Sequence, residues 1–558
     1  MSAMSPRRRV EAASSRVVAA LCAHWPELLF VVAVTALAAV LRTYRLLDYP
    51  AGFHGDEALT GFDAQRVLDN GWIGPYVADP IGYPAGYAYW TAFVVKMVGN
   101  DAWGVRFSSA LLGTLAIPVA YAAFRIMFGY RVAVLGSIFL AVSAWHLLYS
   151  RVAFLPIAWP FIEVAVMAPL FLAVRTRRWF YFLAAGALSG AGVYSYGSYP
   201  TFLAALGSFL LWLGVREYGP RRAAEFVRDM GIFALGFFVV AFSMVQFVSD
   251  PDNSYFTRVR ALSLRETPQW QAAGTVERLD ILWDAARAWF ESMTWRGAPD
   301  VVDAAGFGPM LDQYTIALAA AGLVLLIAGW RRLPYAFALL ILVIVPWGSI
   351  LTIEGAYRRS LGIVPILAVL MALPLARVWE WADTQAAARR TVAAAAIAGV
   401  VALVGAVNVS YFFDRLAVSP LAHFVYVDDL AAAARYIDET DPDYVYLFAV
   451  RWGYPYETVQ YLAPGVRGED RSKEFGRERT GDLTADRTKD ALFVLIGGYA
   501  ELLPTLMQLY PEGRPYNGIA DDGRLLFIAY FVPRHPDAVA ADAGDAERSA
   551  AGGKSGIR

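Results

Sequence analysis

The segment Pro26 to Leu46 reads PELLFVVAVTALAAVLRTYRL, and it is apolar over almost its whole length. A bilayer core about 30 Å thick needs roughly 20 mainly apolar residues in a helix, so this segment predicts a membrane-spanning helix. The same pattern recurs ten more times, which makes eleven predicted spans in all. The other ten are Val105 to Met127, Val132 to Leu148, Phe154 to Val174, Phe180 to Tyr196, Thr201 to Val215, Ile232 to Val248, Tyr314 to Ala328, Tyr335 to Ile353, Leu361 to Ala376 and Val392 to Phe412.

The composition agrees with a polytopic membrane protein. Of 558 residues, 58% are hydrophobic and 17% are charged, against about 45 to 50% and about 25% in soluble domains. Forty-eight Lys and Arg residues nearly balance 49 Asp and Glu residues, so no basic excess exists for nucleic-acid phosphates. With one cysteine and five histidines, we predict neither an intrachain disulfide nor a bound metal or cofactor, and we leave a divalent cation open.

Arginine clusters predict the orientation, because short cytoplasmic loops retain Lys and Arg. A basic cluster precedes the first span, and another follows each even-numbered span. The amino terminus is then cytoplasmic in a plasma (inner) membrane, and the long segments 47–104, 249–313 and the carboxy-terminal part lie outside. The predicted domains are a cytoplasmic segment 1–25, a transmembrane domain 26–413, an extracytoplasmic α/β domain 422–534 and a disordered tail 535–558.

The α/β domain is predicted from alternating strand and helix patterns. Buried strands are expected at Tyr444 to Val450, Ala491 to Ile496 and Leu525 to Val532. Helices are expected at Leu430 to Asp438, Tyr456 to Leu462 and Ala500 to Tyr510. The predicted fold is therefore mainly α, with this small α/β domain after the last span.

The first outer segment carries the candidate chemistry. Residues 49–58 read YPAGFHGDEA, which places two adjacent carboxylates, Asp56 and Glu57, about ten residues after the first span. A partly desolvated carboxylate at the lipid boundary can act as a base on an acceptor hydroxyl beside a lipid-linked phosphate. The alternative is structural: Asp56 would N-cap an interfacial helix running to about Leu68, with Glu57 in its first turn.

Two further motifs extend the pattern of the acidic doublet. Residues 103–114 read WGVRFSSALLGT and open the second span, while residues 144–151 read AWHLLYSR and close the third. Together with the Asp-Glu doublet, they resemble the GT-C membrane glycosyltransferases of the protein O-mannosyltransferase and aminoarabinose-transferase type. The likeness covers roughly Arg42 to Tyr199 and continues more weakly to Phe412, whereas the carboxy-terminal domain matches neither type closely.

The resemblance implies a hexosyl or pentosyl transferase with a polyprenyl-phosphate sugar donor. In such enzymes an acceptor hydroxyl attacks the anomeric carbon with inversion. On this chain the resemblance makes Asp56 the general base, while Glu57 orients the acceptor or shares the proton. The acceptor is a protein, a glycolipid or a polymer, and the sugar and the lipid length stay open.

Outside-facing cations are the candidate ligands of the donor phosphate, because a guanidinium matches phosphate oxygens. The alternative for each is that it snorkels to lipid headgroups. The pair in the predicted loop between the ninth and tenth spans opposes the orientation rule, and this favours a functional reason for it. The candidates are Arg151, Arg106, Arg358, Arg359 and Lys96.

A second group of polar side chains is predicted to contact the sugar or the acceptor. Glu163 lies inside the fourth span, where a charge is costly, so protonation or pairing with a neighbouring helix is the alternative. The histidines are alternatively interfacial donors, and the tyrosines alternatively belong to an aromatic belt. The group comprises His54, His146, Glu163, Tyr194, Tyr196 and Tyr199.

Two other classes of protein share some of these features. A transporter or flippase of lipid-linked sugars also has many spans, but such proteins commonly show paired halves, and the sequence has no such symmetry. A membrane-anchored binding protein would present the α/β domain without needing Asp56 or the outer arginines.

Overall fold

A computed structural model describes residues 6–78, 82–297, 308–353, 356–472 and 483–535. Within them, seven helices are long and apolar enough to cross a membrane, or eight if one bent pair counts as a single span. The spans are Trp25–Thr43, Ala102–Met127, Leu155–Thr176, Pro220–Ser249, Leu333–Ile350, Tyr357–Ala382 and Ala387–Leu416, and the bent pair is Tyr130–Val142 with Ala144–Arg151. The chain is an integral membrane protein of mainly helical fold, as predicted.

Every predicted span contains a helix. The fifth, sixth and eighth are shorter than a span, with helices at Trp179–Gly192, Pro200–Leu213 and Gln313–Ala328. The remaining helices are Pro6–Thr43, which includes the first span, and Gly55–Asn70, Gly86–Val98, Ala158–Thr176, Ala223–Ser249, Tyr255–Ala261, Pro268–Ala272, Thr275–Glu291, Leu333–Ile344, Trp347–Ile350, Val364–Ala382, Ala387–Ser410, Pro420–Tyr426, Asp428–Thr440, Glu457–Leu462 and Leu503–Leu509. Turns of 3-10 or π type lie at Leu155–Ile157, Gly214–Tyr218, Pro220–Arg222, Leu264–Glu266, Ser292–Arg296, Tyr357–Ile363, Tyr411–Leu416 and Gly497–Leu502.

The chain divides into two compact units. The membrane unit comprises residues 1–46, 66–94 and 106–416, and the carboxy-terminal unit comprises residues 47–65, 95–105 and 417–558. The first part of the predicted outer loop, with the acidic doublet, thus belongs to the same unit as the α/β domain. The predicted domain boundaries stay predictions, and nearly all of the predicted tail, from residue 536 onward, lies outside the described residues.

The carboxy-terminal unit contains a five-stranded mixed sheet. Its strands are β3 (Tyr444–Phe448), β4 (Gly468–Asp470), β5 (Ala491–Ile496), β6 (Arg514–Ile519) and β7 (Leu525–Val532); a separate short pair in the membrane unit is β1 (Tyr76–Val77) and β2 (Tyr83–Pro84). The sheet order is β4-β3-β5-β7-β6, with β3 parallel to β4 and β5, and β7 antiparallel to β5 and β6.

The sheet is covered on both faces. One core joins Val445, Leu447 and Val494 to helix Asp428–Thr440, and the other joins Phe448, Phe493 and Leu506. The three buried strands were predicted from their apolar runs. The two edge strands β4 and β6 were not predicted, because β4 is only three residues long and β6 is largely exposed, so neither has a buried alternating pattern.

Candidate active site

The acidic doublet begins a helix, and its two carboxylates have different environments. The carbonyl of His54 accepts the first helical hydrogen bonds, from the backbone N–H groups of Glu57 and Ala58. The Glu57 carboxylate in turn accepts from the His54 backbone N–H at 3.0 Å, and His54 Nδ1 accepts from the Asp56 backbone N–H at 3.0 Å. His54 is therefore the N-cap, and Glu57 completes a capping box.

This arrangement corrects the structural alternative for Asp56. The side chain of Asp56 does not cap the helix; His54 and the fully buried Glu57 do so instead. The Asp56 side chain is 58% exposed, and its Oδ2 lies 4.0 Å from His54 Nδ1. Of the doublet, Asp56 alone presents its carboxylate to solvent, at the positive end of a helix that is ordered by its own cap.

The carboxy-terminal domain holds this helix start through backbone contacts on both sides of His54. The Phe53 N–H donates to the Tyr426 carbonyl at 2.8 Å, and the Thr458 hydroxyl donates to the Phe53 carbonyl at 2.8 Å. The Gly55 N–H donates to Tyr456 Oη at 3.1 Å. Because these partners belong to the α/β domain, that domain fixes the position from which Asp56 projects.

Glycine is required where the loop lies closest to the domain. Gly52 has φ of +90°, and a Cβ there would lie 2.1 Å from the Tyr426 carbonyl oxygen. A Cβ at Gly61 would lie 2.4 Å from the Tyr461 ring, which also stacks on Phe53 at 5.5 Å between centroids. Larger side chains at these glycines would push the helix away from the domain.

Tyr456 is the aromatic residue next to Asp56 in this unit. Burial, with a smaller contribution from the nearby Asp56 carboxylate, raises the pKa of Tyr456 to about 12. Its hydroxyl thus stays protonated at physiological pH and does not serve as a base. The Trp452 ring stacks on Tyr456 at 4.5 Å and 11° between planes and is 41% exposed, so the surface that continues from the Asp56 helix is aromatic.

In the membrane unit, Arg151 and His146 lie at the end of the first helix. The Arg151 guanidinium donates to the carbonyls of Leu41 at 2.7 Å, Tyr44 at 2.7 Å and Arg45 at 3.0 Å. These carbonyls are the acceptors that a helix carboxy terminus leaves unpaired. Arg151 therefore caps this helix, and its predicted contact with a donor phosphate stays a prediction.

Arg42 completes this buried group and was not among the residues predicted from the sequence. Its guanidinium donates to the carbonyls of Ala38 and Ala141 and to His146 Nδ1 at 2.8 Å. The signal was present, because Arg42 is a charge inside the otherwise apolar run Pro26 to Leu46. His146 is fully buried against Arg42, and its contact with a sugar stays a prediction.

A second group in the membrane unit brings Glu163, two of the predicted tyrosines and the arginine turn together. A Cβ at Gly362 would lie 2.5 Å from the Trp159 ring and 2.7 Å from Glu163 Oε2, and Trp159 stacks on Tyr196 at 6.2 Å. Gly362 belongs to the turn Tyr357–Ile363, which also carries Arg358 and Arg359. The sequence could not predict this convergence, because these residues come from three separate segments.

Several polar atoms in this group have no hydrogen-bond partner among the described residues. They are both carboxylate oxygens of Glu163, the Tyr199 hydroxyl and the Trp159 ring nitrogen, and all three residues are fully buried. Pairing of Glu163 with a neighbouring helix is thus not observed in this part of the chain. Buried polar groups are normally hydrogen-bonded, so these four atoms depart from the usual pattern.

The other predicted residues lie elsewhere. Arg106 is buried and donates to the Leu46 carbonyl at 3.1 Å, and the Tyr194 hydroxyl donates to the Val240 carbonyl at 2.8 Å. Lys96 is exposed in the last turn of helix Gly86–Val98. In the described ranges, no group of three or more His, Cys, Asp or Glu side chains is placed to hold a metal ion.

The chain is similar to known membrane glycosyltransferases in part of its sequence and in its fold. The family of dolichyl-phosphate-mannose-protein mannosyltransferases matches residues 83–245, and none of the curated proteins matches the chain. The oligosaccharyltransferase of Archaeoglobus fulgidus has a similar structure, with a TM-score of 0.53 and 14% identity over 80% of this chain and 64% of that one. ArnT from Cupriavidus metallidurans in the apo state has a TM-score of 0.51 and 15% identity over 91% of this chain and 98% of that one.

The chain is thus a polytopic membrane protein with the fold of the GT-C glycosyltransferases, which confirms the resemblance drawn from its motifs. The match to the mannosyltransferase family concerns residues 83–245, and ArnT has a similar fold. The chain spans just under two thirds of the archaeal oligosaccharyltransferase. At these identities the structural likeness concerns the fold, and the activity is argued below.

Proposed function

We propose that this protein is a membrane glycosyltransferase that transfers a sugar from a polyprenyl-phosphate donor to an acceptor hydroxyl. The matched family is described by its dolichyl-phosphate-mannose donor, and the archaeal oligosaccharyltransferase AglB, which has a TM-score of 0.51 to this chain, is known in complex with dolichol-phosphate. The observation that carries the proposal is the exposed Asp56 carboxylate at the start of a helix that is capped by His54 and Glu57.

In the proposed reaction, Asp56 is the general base. As the acceptor oxygen forms its bond to the anomeric carbon, Asp56 takes the hydroxyl proton, and the bond from that carbon to the phosphate oxygen breaks on the opposite face. The configuration inverts, and the polyprenyl phosphate leaves with the electron pair. The contacts of Arg358 and Arg359 with the leaving group, and of Glu163 and Tyr199 with the sugar, stay predictions from the sequence.

Reconstitution tests this proposal directly. The full chain in lipid nanodiscs is incubated with polyprenyl-phosphate-linked mannose, glucose or aminoarabinose and with membrane extract as acceptor, and products are identified by mass spectrometry. Release of polyprenyl phosphate coupled to acceptor glycosylation supports the proposal. Movement of the intact donor between leaflets without glycosyl transfer would instead identify a flippase, and donor binding without either would identify a binding protein.

We further propose that the carboxy-terminal unit lies outside the cytoplasm, as the arginine distribution indicates. A Gly498→Cys substitution in a Cys22→Ser background tests this, because a Cβ at Gly498 meets no atom within 4 Å. We expect a membrane-impermeant maleimide to label this cysteine in intact spheroplasts to the same extent as after lysis. Labelling only after lysis would contradict the orientation.

Tyr456 is expected to position Asp56. A Tyr456→Phe substitution keeps the ring that stacks on Trp452 but removes the oxygen that accepts from Gly55. We expect kcat to fall about fivefold, since one hydrogen bond contributes about 1 kcal/mol, with the KM for the donor unchanged.

The matched control is Tyr510→Phe, which removes a hydroxyl bonded to Leu483 and Ala485 in the other core of the same unit. Tyr510→Phe should leave kcat at the parental value. Equal losses in the two variants would mean that Tyr456 acts only through the stability of the unit.

A further inference from the structure

One helix of the membrane unit has a row of large apolar side chains in solvent. In the helix Thr275–Glu291, Val276 is 72% exposed, Leu279 62%, Trp283 69% and Phe290 52%. Their spacings of three, four and seven residues place them within one narrow stripe along a helix. We call these four residues the apolar stripe.

The apolar stripe is not the face by which this helix packs on the protein. Ile281, Leu282, Ala285 and Trp289 are only partly exposed and lie on another side of the helix. A third side is charged, where Arg287 lies 3.6 Å from Asp284 and 3.9 Å from Glu291. The helix thus has a packed side, a charged side and the apolar stripe.

The position of the helix indicates what covers the stripe. The helix packs against Trp347–Ile350, which is the end of the candidate membrane span Leu333–Ile350. Nearby, the Leu264 N–H donates to the Leu351 carbonyl at 2.9 Å, and the Ile353 N–H donates to the Leu262 carbonyl at 3.0 Å. The segment that contains the helix is therefore attached at the depth where a span leaves the bilayer.

We propose that the helix Thr275–Glu291 lies in the membrane interface, with its apolar stripe inserted among the lipid acyl chains. It is too charged to span the bilayer and is not among the candidate spans. A charged side with an apolar side that includes Trp and Phe is the pattern of helices that lie at the boundary between headgroups and acyl chains. Because the neighbouring candidate span crosses the bilayer, lipid acyl chains are the apolar environment present at the depth of this helix.

The placement has a consequence for the arginine turn. Tyr357 is the first residue of that turn, and its hydroxyl donates to the carbonyl of Ser292, the residue that follows the helix. A helix held at the lipid interface thus fixes the start of the turn with Arg358 and Arg359 near the headgroups. This last point rests on the proposed function, whereas the membrane contact of the stripe does not.

Lipid quenching of a site-specific fluorophore tests the proposal. In a Cys22→Ser background, Leu279→Cys or Asp284→Cys is labelled with the environment-sensitive dye NBD, and the full chain is placed in nanodiscs of phosphatidylcholine with or without brominated acyl chains. Asp284 is the matched control, because it lies on the charged side of the same helix and is exposed. Val276→Cys replaces Leu279→Cys if the latter fails to fold.

We expect the label at 279 to emit at shorter wavelength and to be quenched by brominated acyl chains at least threefold more than the label at 284. Equal, weak quenching at both positions would overturn the proposal and leave the stripe in water. A blue-shifted but unquenched label at 279 would also overturn it, because a protein surface, such as a second copy of the chain, would then cover the stripe. Neither outcome depends on glycosyl transfer, so this test can fail while the proposed function stands.

Discussion

Replacing Asp56 with Asn should lower glycosyl transfer by about 10² to 10⁴-fold, the range that general-base catalysis contributes. The amide keeps the size of the side chain but does not accept the proton of the acceptor hydroxyl. Because the Asp56 side chain is 58% exposed and forms no part of the cap, the helix should remain folded. The measurements are single-turnover transfer and equilibrium binding of the polyprenyl-phosphate donor, and donor binding should be unchanged.

Two further substitutions interpret that result. Asp69→Asn makes the same chemical change on an exposed residue near the other end of the helix. This variant should catalyse glycosyl transfer at the parental rate. Glu57→Gln keeps an oxygen that can accept from the His54 N–H, so its loss of transfer should be much smaller than that of Asp56→Asn. Parental transfer by Asp56→Asn would refute the base assignment, and a larger loss in Glu57→Gln would move that role to Glu57.

Replacing Arg151 with Ala should destabilise the membrane unit by about 3 kcal/mol, at about 1 kcal/mol for each of the three part-buried carbonyls that lose their donor. The side chain is fully buried, and its hydrogen bonds reach Leu41, Tyr44 and Arg45 at the end of the first helix. The midpoint of thermal unfolding, followed for the purified protein in detergent, should fall clearly below that of the parent.

Arg125→Ala is the control for this stability prediction. Arg125 pairs with Glu27 at 2.9 Å, but its side chain is well exposed, and exposed ion pairs contribute about 0 to 1 kcal/mol. Its unfolding midpoint should stay near that of the parent. If Arg151→Ala unfolds at the parental temperature yet no longer binds the donor, the capping role is wrong and Arg151 is a phosphate ligand instead.

In the carboxy-terminal unit, local sequence patterns predicted the buried strands but not the attachment of the first outer segment. The strands β3, β5 and β7 could be predicted from the sequence, because a strand covered on both faces must be apolar at nearly every position. The attachment of residues 47–65 to this unit could not be predicted from the sequence. This attachment depends on the backbone hydrogen bond between Phe53 and Tyr426 and on glycines that leave room for tyrosine rings. Contacts between residues so far apart produce no local sequence pattern.

The candidate site divides in the same way. The sequence identified Asp56 and Glu57 as an acidic pair and Arg151 as a costly charge beside the membrane, but it could not separate a catalytic group from a structural one. That separation depends on partners that are remote along the chain, as Arg151 with Leu41 shows. Likewise, Glu163 and the arginine turn meet only because Gly362 permits close packing of two helical segments.

By itself, the sequence determined that the chain is a mainly helical membrane protein with an α/β domain and an acidic doublet after its first span, because hydrophobic blocks and strand patterns are local consequences of water and lipid. Only the tertiary structure decided which carboxylate is exposed to solvent, which arginines cap a helix, and which helix presents an apolar stripe. Those properties depend on burial and on hydrogen bonds between distant residues, which exist only once the chain has folded.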